Sequence, residues 1–490
     1  LQSHYVTFTE DETSDRLKSL LIRRCTEVNQ CDFIVRAPGR VNLIGKYLCL
    51  ELMFYLFQIS LDVYSILGEH IDYSGYGVLP MDLKQSVFIA VAKLSESSQG
   101  LVHILSEKEN WEEFTCTIEE AETFAQDGPP CPLKWYHYVL CGYRGFCDYA
   151  RQNFPDWKAP SICMLIANGN DSSYLPMCAG LSSSSALVVA SAMAVMRSTN
   201  SYIEPKILAN ICAACELLIG TKGGGMDQAA CLLADSTAMM IEFTKPLLTT
   251  TPVLIPKGGV FCIADCGVRL NKAATPDYNT RVSQCREAAL ILLNNLEKKP
   301  EFRKETITLF DVQRYYAKER PIDMVGDQSP WMKAFPNALA ESIPARRSMH
   351  CYSEAQRVLN FKRLCEMAAM EKYEPGEADQ VLRKLGEIMN ESHHSCRDLF
   401  DCSCPELDRL VKICTFAGSY GSRLTGAGWG GCVVSLVSES NIHQFMATVA
   451  KNYFNSTPEA IPNKLFYTAP GRAAGFIDVS PIVTRNEPPL

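Results

Sequence analysis

Apolar positions along the chain form two patterns, short continuous runs and longer stretches with helical spacing. The short runs are bounded by polar or turn residues and predict buried strands at 87–92, 161–166, 260–265 and 432–437. Apolar residues spaced three or four positions apart predict helices over 135–150, 185–198, 204–219, 279–298 and most of 350–415. The two patterns alternate without a regular βαβ rhythm, which favours an α+β fold.

Four other stretches have less regular patterns. Residues 33–44 are apolar on both sides of Pro38-Gly39 and predict two strands joined by a turn. Residues 299–345 are charged and contain prolines, and residues 418–431 are rich in glycine, so both predict loops. The polar residues 1–30 have a helical pattern.

The length of the chain predicts more than one hydrophobic core. A single core seldom extends beyond about 250–300 residues, and this chain has 490. We therefore expect an N-terminal lobe over 1–255 and a C-terminal lobe over 256–490.

Charge and cysteine content narrow the classes of partner and compartment. The formal net charge is −8 and the sequence pI is about 5.6, without an evident basic patch, which argues against a nucleic-acid partner. The 22 cysteines are irregularly spaced, and in a chain of this size we interpret them as reduced thiols of a cytosolic protein. No secretory signal is visible, and the uncharged run 52–61 is too short for a membrane span, which needs roughly 20 residues.

The candidate chemistry begins at residues 177–186, Met-Cys-Ala-Gly-Leu-Ser-Ser-Ser-Ser-Ala, which we call the serine loop. An apolar run without Gly or Pro follows, so the pattern predicts a loop that opens a helix. Backbone N–H groups, hydroxyls and the positive end of the helix dipole meet at such a junction, which suits a phosphate group. A serine-rich turn that only caps a helix would have the same composition. The chain contains no Walker A sequence.

Two further motifs flank the serine loop in the sequence. The first is Pro38–Gly45 continued by Gly68–Tyr73, and the third is Ser422–Cys432. In this order the three resemble the signature motifs of the GHMP kinases, a family of small-molecule kinases, and the first resembles the galactokinase signature. Residues 68–81 and 395–408 are more similar still to N-acetylgalactosamine kinases. The resemblance implies a two-lobed α+β fold with the active site between the N- and C-terminal lobes.

The resemblance also implies roles for individual residues. Asp227 matches the family's catalytic aspartate, and Arg40 matches the arginine that pairs with it. A carboxylate can accept the proton of a sugar hydroxyl as it attacks phosphorus, and a guanidinium would hold that carboxylate ionised. Taken alone, Gly223–Gly225 would be an ordinary turn and Asp227 a helix cap. The implied sugar-binding residues are Arg40, Glu69, His70, Asp72, Asn271 and Lys272.

The same match implies sites for ATP and Mg²⁺. The residues expected to bind ATP are Gly180, Leu181, Ser182, Ser183, Ser184, Ser185, Gly426 and Gly428. The two glycines of the third motif would let its backbone approach the phosphates and the serine loop. Ser184 and Glu216 match the residues that hold Mg²⁺, a hard cation that suits hydroxyl and carboxylate oxygens.

An insertion, Lys46–Gly68, interrupts the first motif. Without it the chain would read Arg-Val-Asn-Leu-Ile-Gly-Glu-His-Ile-Asp-Tyr, as the family motif does. Codons for the residues at its two ends can contain splice-donor and acceptor sequences, so we interpret it as a retained intron or a gene-model error. Arg40 and Glu69 lie on either side of it, and a displacement of about 1 Å at a catalytic site can cost roughly 100-fold in rate.

The sequence thus predicts a cytosolic, monomeric sugar 1-kinase with ATP as co-substrate and Mg²⁺ as cofactor. The resemblance favours N-acetylgalactosamine as the acceptor, with galactose as the alternative. Two further alternatives are a non-catalytic sensor of sugar and ATP and an isoform inactivated by insertion 46–68. The complete serine loop, together with Arg40 and Asp227, argues against the sensor. We expect neither nucleic acid nor a membrane as a partner.

Overall fold

A computed structural model of the chain describes residues 4–43, 70–167, 173–243, 247–269, 275–295, 307–319, 339, 341–370 and 377–479. Within these residues the chain forms two β-sheets and twelve α-helices. The insertion 46–68 lies outside the described residues, and so do the site candidates Glu69, Asn271 and Lys272.

The larger sheet contains the strands of the N-terminal half and the last strand within the described residues. Its nine members are β1 (Val6–Phe8), β2 (Phe33–Asn42), β3 (Pro80–Lys93), β4 (Leu101–Ser106), β5 (Phe114–Thr117), β6 (Ile162–Ala167), β7 (Ala238–Glu242), β8 (Thr249–Val253) and β13 (Gly475–Asp478). Their order is β1-β13-β2-β3-β6-β4-β5, with β7 paired to β3 and to β8. The central pair, β2 and β3, is antiparallel.

The smaller sheet is antiparallel throughout and belongs to the C-terminal half. Its four strands are β9 (Gly259–Asp265), β10 (Gly421–Thr425), β11 (Cys432–Ser438) and β12 (Leu465–Thr468), in the order β10-β11-β9-β12. The third motif covers nearly all of β10, the start of β11 and the glycine-rich turn that connects these two paired strands.

The helices cover the two sheets. They are α1 (Glu12–Arg24), α2 (Ile118–Glu122), α3 (Tyr136–Asn153), α4 (Ser183–Ser198), α5 (Pro205–Cys215), α6 (Met226–Leu233), α7 (Asp277–Asn294), α8 (Leu309–Glu319), α9 (Ile343–Met370), α10 (Glu377–Ser395), α11 (Pro405–Phe416) and α12 (Ile442–Val449). A π-helical turn, Cys396–Phe400, continues α10. No helix in the described part of the chain combines the length and the apolarity that crossing a bilayer requires.

One hydrophobic core extends through both halves of the molecule. Helix α4 lies within it and is buried on every side, because Ala, Leu, Val and Met occupy ten of its sixteen positions and small serines occupy five more. It packs between α3 and the β2–β3 pair, so the serine loop at its N-terminus is fixed against the rigid centre of the larger sheet. A second, smaller cluster packs Leu17 and Leu21 of α1 against Phe88 and its neighbours on the opposite face of that sheet.

The predicted α+β class is confirmed, and a strand or helix is present at each apolar run and each helical stretch predicted beyond residue 80. The helical pattern of residues 1–30 is only partly matched, because it contains strand β1 and its helix covers Glu12–Arg24 alone. The prediction of two strands within 33–44 is wrong, because β2 is continuous and has a bulge between Pro38 and Arg40. The reason is packing: a Cβ on Gly39 would lie 2.7 Å from the carbonyl oxygen of Leu181, so this glycine serves a close contact instead of a turn.

Two stretches predicted as loops contain regular structure. Residues 418–431 include β10, which exists because it pairs with β11, a contact that local composition does not reveal. Residues 299–345 include α8, while most of that stretch lies outside the described residues.

The predicted lobe boundary between residues 255 and 256 falls between β8 and β9, where the chain passes from the larger sheet to the smaller one. One element differs from this division. Strand β13 pairs antiparallel with β2 and parallel with β1, so the end of the second half returns to the first sheet.

Candidate active site

Predicted site residues from each of the three motifs line two adjoining cavities. The aspartate cavity is lined by Arg40, His70, Asp72, Glu216, Gly223, Gly224, Asp227, Tyr278, Gly426 and Ala427, among others. The serine-loop cavity is lined by Trp111, Trp135, Tyr138, Cys178, Gly180, Ser182, Ser183 and Ser184, among others. Arg40, Asp227 and Ala427 line both cavities and therefore mark the place where the two open into each other.

Arg40 and Asp227 form an ion pair at this junction. The Arg40 Nε donates to Asp227 Oδ1 at 2.7 Å, and a terminal guanidinium nitrogen lies 2.6 Å from the same oxygen. Arg40 follows the bulge in β2, and Asp227 lies in the first turn of α6, whose N-cap Gly225 has a φ of 100°. Both side chains are nearly buried, so the pair is shielded from solvent and charge-assisted.

A second carboxylate lies beside the pair. The Ser185 hydroxyl donates to Glu216 Oε2 at 2.7 Å and lies 3.4 Å from Asp227 Oδ2. The Gln228 amide also donates to Glu216 Oε2. Ser185 therefore lies beneath the cavities and connects the two carboxylates, instead of lining the serine-loop cavity as its three serine neighbours do.

His70, which also lines the aspartate cavity, is held as a neutral ring. Its Nε2 lies 2.8 Å from the carbonyl oxygen of Ala427, which can only accept, so Nε2 carries the hydrogen. Its Nδ1 then accepts from the Tyr73 hydroxyl at 3.1 Å. Burial lowers the pKa of His70 to about 3. The imidazole thus remains uncharged at neutral pH.

Asp72 and the glycine run are in direct contact. The backbone N–H of Gly224 donates to Asp72 Oδ2 at 3.0 Å. A Cβ on Gly224 would lie 2.6 Å from the Asp72 Cγ, so the close approach requires glycine. This contact joins the first motif to the loop that precedes Asp227.

Tyr278 is a site residue that the sequence analysis missed. It lies on α7, lines the aspartate cavity and packs edge-on against Tyr73 with ring centroids 5.6 Å apart. Burial raises its pKa well above the usual value, so the phenol keeps its proton. One signal in the sequence points to Tyr278: it follows closely after Asn271 and Lys272, which the family resemblance assigns to the sugar site.

The serine loop has the geometry of a helix N-terminus that faces a cavity. Helix α4 begins at Ser183, after Ser182 with a φ of 61°. The first N–H groups of a helix lack partners within the helix, and the dipole adds positive potential there. The cavity wall also contains Trp111 and Trp135, with ring centroids 5.3 Å apart and planes tilted by 47°, an aromatic surface that the sequence analysis missed.

Backbone contacts connect the loop to the rest of the site. The Gly180 carbonyl accepts from a terminal nitrogen of Arg40 at 3.2 Å, and the Leu181 carbonyl accepts from the Arg40 N–H at 3.2 Å. Gly426 lies against Gly180, and Gly428 lies against Cys402, where a Cβ would be 3.0 Å from the Cys402 carbonyl carbon. Gly426 thus brings the third motif to the serine loop as predicted, whereas Gly428 contacts Cys402 instead.

Family models match three parts of the chain. The GHMP kinases N terminal domain matches residues 166–235, which include the serine loop, Glu216 and Asp227. The GHMP kinases C terminal model matches residues 374–455, which include the third motif. The galactokinase galactose-binding signature matches residues 64–93, which include His70 and Asp72.

Relatives match over most of the chain. A galactokinase of Dictyostelium discoideum is 32% identical over 489 residues, which cover 91% of this chain and 90% of the relative. A galactokinase of Saccharomyces cerevisiae is 29% identical, with 86% of each chain covered. Among solved structures, Lactococcus lactis galactokinase in complex with galactose has a TM-score of 0.67 at 20% identity, covering 95% of this chain and all of that one.

Proposed function

We propose, from the premise that this chain belongs to the galactokinase subfamily of the GHMP kinases, that it transfers the γ-phosphoryl group of ATP to the anomeric hydroxyl of galactose. Family membership makes the protein a phosphotransferase with an alcohol group as acceptor, and a sugar 1-kinase. The choice of sugar and the roles of individual residues are the parts that we propose.

The observation that carries the proposal is the Arg40–Asp227 ion pair at the junction of the two cavities. The aspartate cavity offers neutral and charged groups with fixed directions, which is what recognition of several sugar hydroxyls needs. The serine-loop cavity offers a helix N-terminus and an aromatic wall, which suit a triphosphate and an adenine ring. A proton acceptor between them is where an acceptor hydroxyl would meet the γ-phosphate.

The chemistry follows from the ion pair. Arg40 binds Oδ1 of Asp227, so Oδ2 is the oxygen that we assign as acceptor of the proton from the anomeric hydroxyl. The guanidinium stabilises the carboxylate form and lies where it can also offset charge on the transferred phosphoryl group. His70 is neutral and donates a hydrogen bond to the Ala427 carbonyl, so we assign it to the wall of the aspartate cavity and not to a role as a second base.

Magnesium fits the oxygen donors that the site contains. Glu216 lines the aspartate cavity and Ser184 lines the adjoining serine-loop cavity, and both offer hard oxygen ligands. We propose that these two residues hold Mg²⁺, which would offset charge on the ATP phosphates. The amide of Gln228 and the hydroxyl of Ser185 orient the Glu216 carboxylate for that purpose.

Galactose is supported over N-acetylgalactosamine by the two relatives and by the galactose-binding signature. The similarity of residues 68–81 and 395–408 to N-acetylgalactosamine kinases makes that sugar the second acceptor to test. An acetamido group needs space beside the sugar ring, so the two sugars place different demands on the aspartate cavity.

The test is a coupled ADP-release assay with each sugar, on this chain and on a version that lacks 46–68. Asp227→Ala serves as the inactive control. Turnover with galactose that exceeds turnover with N-acetylgalactosamine supports the proposal. Turnover only after the deletion identifies the full chain as an inactive isoform. ATP binding without turnover in either version would contradict the proposal and favour the sensor.

A further inference from the structure

The ring of His70 packs against Phe400 and Trp429 of the C-terminal half, in addition to Tyr73 and Tyr278. Phe400 stacks on it, with ring centroids 4.7 Å apart and an interplanar angle of 26°. Trp429 meets it edge-on, with centroids 5.9 Å apart at 71°. The orientation of His70 therefore depends on the placement of Phe400 and Trp429 as well as on its hydrogen bonds to Ala427 and Tyr73.

Both aromatic residues lie on irregular backbone. Phe400 ends the π-helical turn Cys396–Phe400, and the next residue, Asp401, has a φ of 58°. Trp429 belongs to the turn of the third motif and has a φ of 52°, which is uncommon for a bulky residue. Such backbone persists only where neighbouring contacts hold it in place.

One side chain from α7 binds both segments. The Arg281 Nε donates to the Phe400 carbonyl at 2.9 Å. A terminal nitrogen donates to the Asp401 carbonyl and to Asp401 Oδ2, both at 2.8 Å. The guanidinium carbon lies 5.4 Å from the centre of the Trp429 ring, within the range of a cation–π contact.

The guanidinium group suits this position for physical reasons. Its planar fork can donate to several oxygens at once while its face lies on an aromatic ring, and an ammonium group cannot do both. Arg281 is only 8% exposed, so these contacts are largely shielded from water. It lies outside the three ranges matched by family models, and no motif in the sequence points to it.

We propose that Arg281 is a positioning residue for the sugar site, which fixes the His70 ring through Phe400 on one face and Trp429 on its edge. The proposal rests on the proposed function in one respect, that the sugar binds beside His70. Arg346 and Arg347 also donate to carbonyls of the π-helical turn, but Arg281 contacts both that turn and Trp429. Loss of the fork would let the two segments shift relative to each other, and the aromatic contacts that help to orient the His70 ring would change. Sugar binding should therefore weaken more than nucleotide binding.

The test compares Arg281→Lys with Arg357→Lys in the full chain. Arg357 is the matched control because it is 6% exposed and binds Glu354 and Ser353 instead of Phe400 and Asp401. Galactose and N-acetylgalactosamine binding are measured by calorimetry without ATP, and KM for sugar and for ATP are measured where turnover occurs. Thermal unfolding is followed for every variant.

We expect Arg281→Lys to weaken sugar binding and raise the sugar KM about tenfold, with the ATP KM within about twofold. Arg357→Lys should lower Tm and leave sugar binding unchanged. A folded Arg281→Lys with wild-type sugar affinity overturns the proposal, as does an equal rise in both KM values. If Arg281→Lys does not fold, Trp429→Phe tests the proposal instead, and we expect it to raise the sugar KM about threefold.

Wild-type behaviour separates this inference from the proposed function. If the wild-type protein prefers N-acetylgalactosamine, only the proposed acceptor is overturned. Weaker binding of that sugar by Arg281→Lys would then still support the positioning role. Wild-type binding of neither sugar would overturn both.

Discussion

Gly180 of the serine loop and Gly426 of the third motif touch through their backbones. A Cβ on Gly426 would lie 2.8 Å from the Gly180 Cα and closer still to its carbonyl oxygen, and a Cβ on Gly180 would lie 2.9 Å from the Thr425 carbonyl oxygen. The same Gly180 carbonyl accepts a hydrogen bond from Arg40. A shift at this contact would therefore reach the ion pair directly.

Gly426→Ala should nearly abolish activity. The new Cβ would overlap backbone atoms of Gly180, which cannot move aside, and the φ of +84° at Gly426 adds strain. We expect kcat/KM to fall by at least about 100-fold, since displacements of about 1 Å have that effect. Gly418→Ala is the matched control: its φ is +98° and no atom lies within 4 Å of the added Cβ. Steady-state kinetics of both variants would contradict the prediction if the two losses were equal.

Asp227→Asn should remove the chemical step while leaving binding largely intact. The amide keeps the shape of the carboxylate that Arg40 holds, but it cannot accept the proton of a sugar hydroxyl. We expect kcat to fall by about 10³-fold, within the usual range for a general base. Coupled ADP release measures kcat, and calorimetry measures ATP and sugar affinity. A kcat within tenfold of wild type would show that another group takes the proton.

Ser185→Ala should lower kcat by about tenfold, because Glu216 loses a charge-assisted donor and Asp227 Oδ2 loses a nearby hydroxyl. Ser191→Ala provides a control in the same helix. Its hydroxyl is equally buried but donates to the Val139 carbonyl at 2.6 Å, away from the site. This control should lose stability and keep its kcat. Equal kcat values for the two variants would rule out a specific role of Ser185.

Two buried histidines should make the protein less stable in mild acid. Burial lowers the pKa of His70 to about 3 and that of His393 to about 4. The unfolded chain takes up these protons below about pH 6.5 and the folded chain does not, so this stability is present above pH 6.5 and is lost as pH falls toward 4. Between pH 7 and 5 the free energy of unfolding should drop by about 2 kcal/mol per histidine.

The check is urea unfolding at pH 7 and pH 5 for wild type and His393→Gln. The variant should lose less stability on acidification than wild type, whatever its stability at pH 7. His443→Gln, the same change at an exposed position on α12, is the control. An equal acid loss in wild type and His393→Gln would contradict the prediction.

Local sequence was sufficient for much of the fold. The apolar runs at 87–92 and 260–265 lie within β3 and β9, because a buried strand needs nothing more than a run of apolar residues and a partner. The serine loop opens α4 at Ser183, since serine tolerates the N-terminal turn and the apolar run favours the helix. These features depend on neighbours in the chain.

Features that depend on distant residues were not visible. Strand β10 lies in a glycine-rich stretch and is strand only because it pairs with β11. Tyr278 and Arg281 reach the site because α7 packs beside it, and a tyrosine or an arginine in a helix is ordinary by composition. Ser185 was assigned to the ATP-binding serines, yet its position one residue further into α4 turns its hydroxyl toward Glu216.

Strand β13 has a consequence for how the protein is made. Its four residues, Gly475–Asp478, lie between β1 and β2. A ribosome delivers the chain from its N-terminus, so that edge of β2 stays open until Gly475–Asp478 have been synthesised. The N-terminal lobe cannot finish folding while the C-terminal lobe is still being translated. A nascent chain that stops before Gly475 presents an unpaired strand edge, which is a template for aggregation.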